Sequence, residues 1–395
     1  MDSVNNISCT AALALDPSRA LPTQLHEEKN SEILQIFEDK AFAKAPSASR
    51  PTLKAEPKVK STRLNDVLPR LTGPHPIGHT QFILEGPKHT SPFGDYYIGV
   101  EIYAPTQDHT SDSKLRIHSE QYANERNNIY LDRELSAEQK ATLHSHAQDT
   151  LRLETKMPVI VFSHRLDGNP TDYRALLEEL ASHGYIVVSL NHPSSSSYAP
   201  FSEETLQTNG LPPGGRRNEE FMAEVARLAV LQADNIAFVV ERIREGGLPE
   251  LSNLGPLDQI VLAGHSVGGA ASIIAARRDP RISGCINLDG GLLGDGHTQG
   301  IISPTLTLLS KPVKKSDANF AMQQKITEDI VTFHHNCALS QKEKIDGCTH
   351  YDFGSTPAIL FHLIGEKPIA GSLHGALQTH KIASLKIVQF LKSHL

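Results

Sequence analysis

The stretch QIVLAGHSVGGAASIIAAR, residues 259–277, decides the reading of this chain. Gln259–Ala263 is a short apolar run of the kind that forms a buried strand. It leads straight into Gly264-His265-Ser266-Val267-Gly268-Gly269, and Ala270–Arg277 continues as an Ala-rich helical segment. A G-x-S-x-G pattern is short enough to arise by chance. Here it lies between a strand and a helix, which is the setting an exposed nucleophilic serine needs. The turn is tight and strains the backbone at Ser266, so the residues two before and two after must be small. Gly264 and Gly268 meet that need. The N-terminus of the following helix then lies beneath the reacting oxygen and favours negative charge. The backbone N–H of Val267 becomes one donor of an oxyanion hole. Ser266 is therefore the candidate nucleophile.

Outward from this segment, apolar strands alternate with helical patterns. Upstream, Pro158–Ser163 (PVIVFS) has the continuous apolar texture of a strand buried on both faces. Asp172–His183 has helical spacing and stops at Gly184, and Tyr185–Leu190 (YIVVSL) is the next strand. Asn218–Glu245 is a long amphipathic helix. Downstream, Gly284–Leu288 and Thr305–Leu309 are strands, and Ile382–Leu391 is a terminal helix. Alternation of this kind predicts an α/β fold with a mostly parallel central sheet and helices on both faces. Nearer the N-terminus, TGPHPIGHTQFIL and YYIGVEIYAP read as two further strands.

Three segments stand apart from that pattern. Residues 1–60 read as a disordered leader and linker. They include one short amphipathic stretch, Ser31–Phe42, followed by a Pro-, Ser- and Lys-rich run. Residues 107–155 are polar and irregular, with helical texture at Ser136–Leu151, and read as a surface insertion. Residues 194–216, Ser-rich and then Pro/Gly-rich, read as a mobile flap over the site. The folded α/β domain is thus expected over 61–395.

A serine nucleophile on such a sheet is followed in chain order by an acid and then a histidine. Asp289 comes directly after the strand that ends at Leu288, and Asp289-Gly290-Gly291 turns out of it. Asp295, further into the loop, is its rival. Two of the later histidines have suitable surroundings: His350 in GCTHYDF (347–353) and His374 in GSLH (371–374). Both follow small residues that would let an imidazole reach the serine, and chain order leaves both open.

Composition narrows the function classes. The net charge of −7 argues against nucleic acid as a partner, because phosphate backbones attract basic surfaces. The four cysteines have no CxxC spacing and the twenty histidines form no tract, so neither a metal site nor a dithiol motif is indicated. No organic cofactor or metal is expected. There is no run of 18 apolar residues, and the N-terminal region lacks a signal-peptide pattern. A soluble protein is expected, cytoplasmic or exported without a Sec-type signal. Peripheral membrane contact through Ser31–Phe42 and the neighbouring basic residues Arg50, Lys54, Lys58, Lys60 and Arg63 is weighed against a plain tether.

From Thr72 to Leu395 the chain resembles the plasma-type (isoform II) platelet-activating-factor acetylhydrolase family and its bacterial lipase-like relatives. The resemblance runs through TGPHPIG (72–78), VEIYAP (100–105), PVIVFSHRLDGNPTDYRALLEELASHGYIVVSLNH (158–192), GHSVGGA (264–270) and the Asp289 loop. It implies the α/β-hydrolase fold and a serine esterase or lipase. The substrate implied is an acyl ester, such as a phospholipid with a short acyl chain. It also favours His350 as the base, since GCTHYDF fits the family's Gly-Ser-x-His-x-x-Phe motif, whereas Leu377 stands where His374 would require Phe. The family's oxyanion segment reads His-Gly-Leu-Gly. Here it is His164-Arg165-Leu166-Asp167, which implies the Leu166 amide as second oxyanion donor beside Val267. A carboxylesterase or thioesterase on the same fold, or an inactive hydrolase-like binding protein, are the alternatives.

Overall fold

A computed structural model of the chain describes residues 69–86, 97–107, 114–116, 144–148, 151–196, 219–294, 297–310, 320–355, 358 and 372–395. The expected leader at 1–60, the Ser31–Phe42 segment, most of the expected flap and the rival acid Asp295 lie outside them. Among the described residues, ten strands form one sheet. They are β1 (Ile77–Glu85), β2 (Tyr97–Pro105), β3 (Lys114–Arg116), β4 (His144–Gln148), β5 (Val159–Ser163), β6 (Ile186–Asn191), β7 (Ile260–His265), β8 (Gly284–Leu288), β9 (Thr305–Leu309) and β10 (Ser340–Lys344). The longer helices are α1 (Arg174–Ser182), α2 (Glu219–Arg244), α3 (Val267–Arg278), α4 (Phe320–Asn336) and α5 (Leu373–His394).

The strand order is β10-β9-β8-β7-β5-β6-β2-β1-β4-β3. The six strands from β10 to β6 are mutually parallel. β2 runs antiparallel to β6, and β1 antiparallel to β2. Residues along each central strand alternate between two apolar layers. On β5, Val159 and Val161 join the layer built by α2 and α3, while Ile160 and Phe162 join the layer built by α1 and α5. β7 divides in the same way, with Ile260 and Leu262 on one side and Val261 and Ala263 on the other. Both faces are covered, so the sequence needs apolar residues at every position, and that explains the continuous runs.

The sheet also contains strands that local texture did not show. Within Ser136–Leu151, expected to be helical, the described residues His144–Gln148 are instead strand β4, which bridges to the outer edge of β1 and pairs antiparallel with β3. An open strand edge presents unpaired main-chain groups, and those groups outweigh a weak local helical preference. The polar segment SQKEK (340–344) is likewise a strand, β10, held on the edge of β9 by main-chain pairing while most of its side chains are exposed. α4 was not foreseen, and α5 begins nine residues earlier than the terminal helix read from periodicity.

Candidate active site

The register aligns Ser163 of β5 with Gly264 of β7, and Gly264 with Asn287 of β8. Three adjacent parallel strands therefore end at one level, which is where α/β sheets place their sites. The segments leaving these ends carry Leu166, Ser266 and Asp289.

β7 ends at His265 and α3 begins at Val267, so Ser266 alone makes the turn, with φ 56° and ψ −119°. Among the described residues the non-glycine residues at positive φ are Asp167, Ser266 and Asp289, and all three belong to this site. Each such residue costs about 1–3 kcal/mol and persists only where its surroundings hold it. Ser266 is held by its N–H, which donates to Leu288 O at 2.9 Å, and by its carbonyl, which accepts from Ala270 N–H at 3.0 Å. The turn leaves no room for side chains beside it. A Cβ on Gly264 would lie 2.3 Å from Gly268 O, and one on Gly268 would lie 2.2 Å from Ser163 O.

Asp289 follows β8 directly. Its N–H donates to Leu308 O at 2.8 Å, and its Oδ1 accepts from Ser310 N–H at 2.7 Å. Its Oδ2 faces His350 Nδ1 at 2.8 Å, and His350 Nε2 faces Ser266 Oγ at 3.1 Å. Burial opposes ionisation of Asp289, but the hydrogen bonds from His350 and Ser310 outweigh it and hold the carboxyl below its usual range. His350 Nδ1 thus donates to a carboxylate, and Nε2 is left to accept the serine proton. His350 opens a 3₁₀ turn, His350–Phe353, capped reciprocally by Thr349 and Asp352. The Thr349 N–H and Oγ1 both donate to Asp352 Oδ2, at 2.7 and 2.8 Å. His374, the competing base, sits exposed in the first turn of α5. Among the described residues, the imidazole that reaches Ser266 Oγ is that of His350.

The loop expected to carry the second oxyanion donor leaves β5 through His164. The amides on either side of Leu166 are taken up: Arg165 N–H donates to Tyr173 Oη at 3.2 Å and Asp167 N–H to Ser195 O at 2.9 Å. Arg165 and Asp167 replace residues that the resemblance would have as glycine, and the structure accommodates both. The Arg165 guanidinium folds back onto Leu166 O (3.0 Å) and Asp172 (3.3 Å), and lies 5.6 Å from the Tyr351 ring centroid. Asp167 adopts φ 53°, a left-handed conformation that Asp tolerates better than most side chains.

Several supporting residues gave little sign of themselves in the sequence. Asn287 accepts from Gly290 N–H and donates to Gly290 O, both at 2.9 Å, and so clamps the turn that contains Asp289. Its signal was an Asn two residues before a Gly-rich turn. His265, inside the nucleophile motif, is fully buried with its ring 4.7 Å from that of His350. Its Nδ1 accepts from Tyr173 Oη at 2.7 Å. Burial first, then repulsion from His350 when it is protonated and from Arg165, pushes its pKa well down, so it stays neutral. Among the described residues no group of three or more His, Cys, Asp or Glu side chains could hold a metal ion.

Known proteins resemble the chain in both sequence and fold. The sequence model of the family "Platelet-activating factor acetylhydrolase, isoform II" matches residues 61–220. The dog platelet-activating factor acetylhydrolase (Canis lupus familiaris) is 31% identical over 166 residues, covering 36% of this chain and 37% of that protein. A "Probable 1-alkyl-2-acetylglycerophosphocholine esterase" of Arthroderma benhamiae is 29% identical over 147 residues, covering 37% of this chain and 34% of that protein. The match to these two relatives spans little more than a third of their length. The guinea-pig acetylhydrolase (Cavia porcellus) matches over 310 residues, 72% of this chain and 68% of that protein, at 23% identity. Among solved structures, a ferulic acid esterase from Streptomyces cinnamoneus superposes with a TM-score of 0.67 over 83% of this chain and 92% of the other, at 19% identity, a likeness of fold. Over residues 61–220 the chain is therefore similar to the isoform II platelet-activating factor acetylhydrolase family, and its α/β fold is similar to that of a known esterase.

Proposed function

We propose that the chain is a serine esterase that hydrolyses a carboxylic ester through an acyl-enzyme, with Ser266 as nucleophile, His350 as base and Asp289 as its partner. The observation that carries this reading is the hydrogen-bonded line Ser266 Oγ, His350 Nε2, His350 Nδ1, Asp289 Oδ2, built on a strained elbow. Ser266 Oγ attacks the carbonyl carbon while His350 Nε2 takes its proton. The carbonyl electrons move onto oxygen, where the amides of Val267 and Leu166 receive them. Collapse expels the alcohol, which takes the proton from His350 and leaves an acyl-Ser266 ester. Water, deprotonated by the same imidazole, then releases the acid and restores the serine. Asp289 keeps Nδ1 protonated and stabilises the imidazolium.

The relatives' names favour one substrate class, glycerophospholipids with a short acyl group such as 1-alkyl-2-acetylglycerophosphocholine. The test has two arms. A fluorophosphonate probe should label wild-type protein and not Ser266→Ala, and a panel of lipid, aryl and thio esters should show turnover highest on short-acyl glycerophospholipids. Absence of labelling would overturn the nucleophile. Turnover confined to thioesters or aryl esters would keep the nucleophile and overturn the substrate class.

A further inference from the structure

Behind the oxyanion loop lies a polar cluster that the reaction does not touch and that is sealed from water. His164, His192, Ser163, Asn235 and Gln232 are all fully buried. Polar groups are placed in such surroundings at a cost, so their hydrogen bonds define what they hold in place. Asn235 Nδ2, from α2, donates to His192 Nδ1 at 3.1 Å. That fixes the His192 tautomer, whose Nε2–H donates to Ser163 Oγ at 3.0 Å. His164 Nδ1–H donates to Arg165 O at 2.7 Å, and its Nε2 accepts from His192 N–H at 3.1 Å. Burial, followed by the neighbouring His164, pushes the His192 pKa well down, in keeping with a neutral ring.

His192 also begins the turn that grips the oxyanion loop from outside. Its carbonyl accepts from Ser195 N–H (3.0 Å) and Ser196 N–H (2.8 Å). Ser195 O then takes Asp167 N–H, and Ser196 Oγ donates to Gly168 O at 3.0 Å, with Gly168 and Ser196 forming a parallel bridge. Gln232 Nε2 ties Ser195 Oγ to α2 at 2.7 Å. The peptides of Arg165, Asp167 and Gly168 are therefore all bound to this cluster, and Leu166 sits between them. We infer that His192, oriented by Asn235, is a positioning residue that fixes the direction of the Leu166 N–H toward the developing oxyanion. The inference rests on the proposed acyl transfer at Ser266 and deepens it.

The expected effects follow from geometry. Full loss of one oxyanion donor costs on the order of 10²–10³ in kcat, and a donor turned aside should cost roughly 10- to 100-fold. His192→Phe keeps ring volume and removes both ring hydrogen bonds. Asn235→Leu loosens the same ring from the far side without touching the loop. Both should lower kcat by that factor on a short-chain p-nitrophenyl ester, with KM within about twofold, because the substrate's carbonyl is bound more weakly only in the transition state. Affinity for a trifluoromethyl ketone, which forms a tetrahedral oxyanion on Ser266, should fall in proportion. His192→Gln, whose amide can accept from Asn235 and donate to Ser163, should recover most of the lost kcat. Rates are taken per active site by burst titration, so that unfolded protein does not count.

Wild-type kcat in both His192→Phe and Asn235→Leu would overturn the inference. So would a loss of kcat with unchanged ketone affinity, or no recovery in His192→Gln. If Ser266→Ala matches wild type on the same ester, the acyl-transfer reading itself falls and takes this inference with it. If Ser266→Ala is dead while the His192 and Asn235 variants are unaffected, only the positioning role is lost.

Discussion

At the scale of single residues, the proposed mechanism depends on three side chains acting as one unit and on three strained backbones. Ser266→Ala removes the nucleophile but leaves the elbow's main-chain bonds to Leu288 and Ala270 in place. Its ester turnover should fall to background with an unchanged urea midpoint. Asp289→Asn leaves His350 Nδ1 facing an amide rather than a carboxylate and favours the wrong tautomer. Asp289→Asn and His350→Ala should each lower kcat by about 10³–10⁴ or more, and the double variant should be hardly worse than either, since triad members are strongly non-additive. His374→Ala should stay within about twofold of wild type, as expected of an exposed side chain in the first turn of α5. Steady-state kinetics on one soluble ester separates these outcomes, and a severe loss in His374→Ala with a competent His350→Ala would reverse the choice of base.

At the scale of elements, the site depends on how closely α3 and the ends of β5, β7 and β8 approach one another. Gly268, in the first turn of α3, packs directly against the backbone at the end of β5. A methyl group there meets backbone oxygens of Ser163 and His164, at 2.2 and 2.6 Å, and backbone cannot swing aside as a side chain can. Gly268→Ala should therefore destabilise by about 1–3 kcal/mol or more. It should also lower kcat, because any relief moves Ser163 and the loop it anchors. A urea titration alongside kinetics checks both, and an unchanged midpoint would show that the approach is looser than described. Gly291, whose added Cβ would meet only Ile326 at 4.0 Å, supplies the contrast.

At the scale of the whole molecule, buried histidines set the response to acid. His79, His192 and His265 have pKa values pushed down chiefly by burial, and burial brings those of His334 and His380 to about 4. Each stays neutral in the folded chain below the pH at which the unfolded chain takes up a proton. Their contribution is therefore intact above about pH 6.5 and is lost as pH falls toward 4, at up to about 1.4 kcal/mol per pH unit for each proton. Asp289 acts in the same direction at lower pH, since its depressed carboxyl is protonated only below the ordinary carboxylate range. Urea midpoints should thus decline steeply between pH 6.5 and 4.5 and be level from 7 to 8. A flat profile through pH 5 would mean that these rings are not held neutral. Removal of residues 1–60 should leave turnover of a soluble ester unchanged, because every group of the proposed mechanism lies beyond Ser163. An inactive but folded truncation would refute that.

The sequence by itself determined the parallel core and pointed to Ser266 as the proposed nucleophile. Both are written in local patterns: apolar runs that only a doubly covered strand requires, and glycines that only a tight strand-to-helix turn requires. It placed Asp289 for the same reason, as the first polar residue after a buried strand. The choice between His350 and His374 is different: chain order left both open, the family resemblance favoured His350, and the distance that brings His350 to Ser266 is set by which loop reaches across the sheet ends. The same holds for β4 and β10, which pair because a neighbouring edge is open, β10 with most of its side chains exposed. It holds also for Asn287, His265, His192 and Asn235, ordinary polar residues far apart in the chain. Their meaning arises only when folding seals them from water and brings their partners to them.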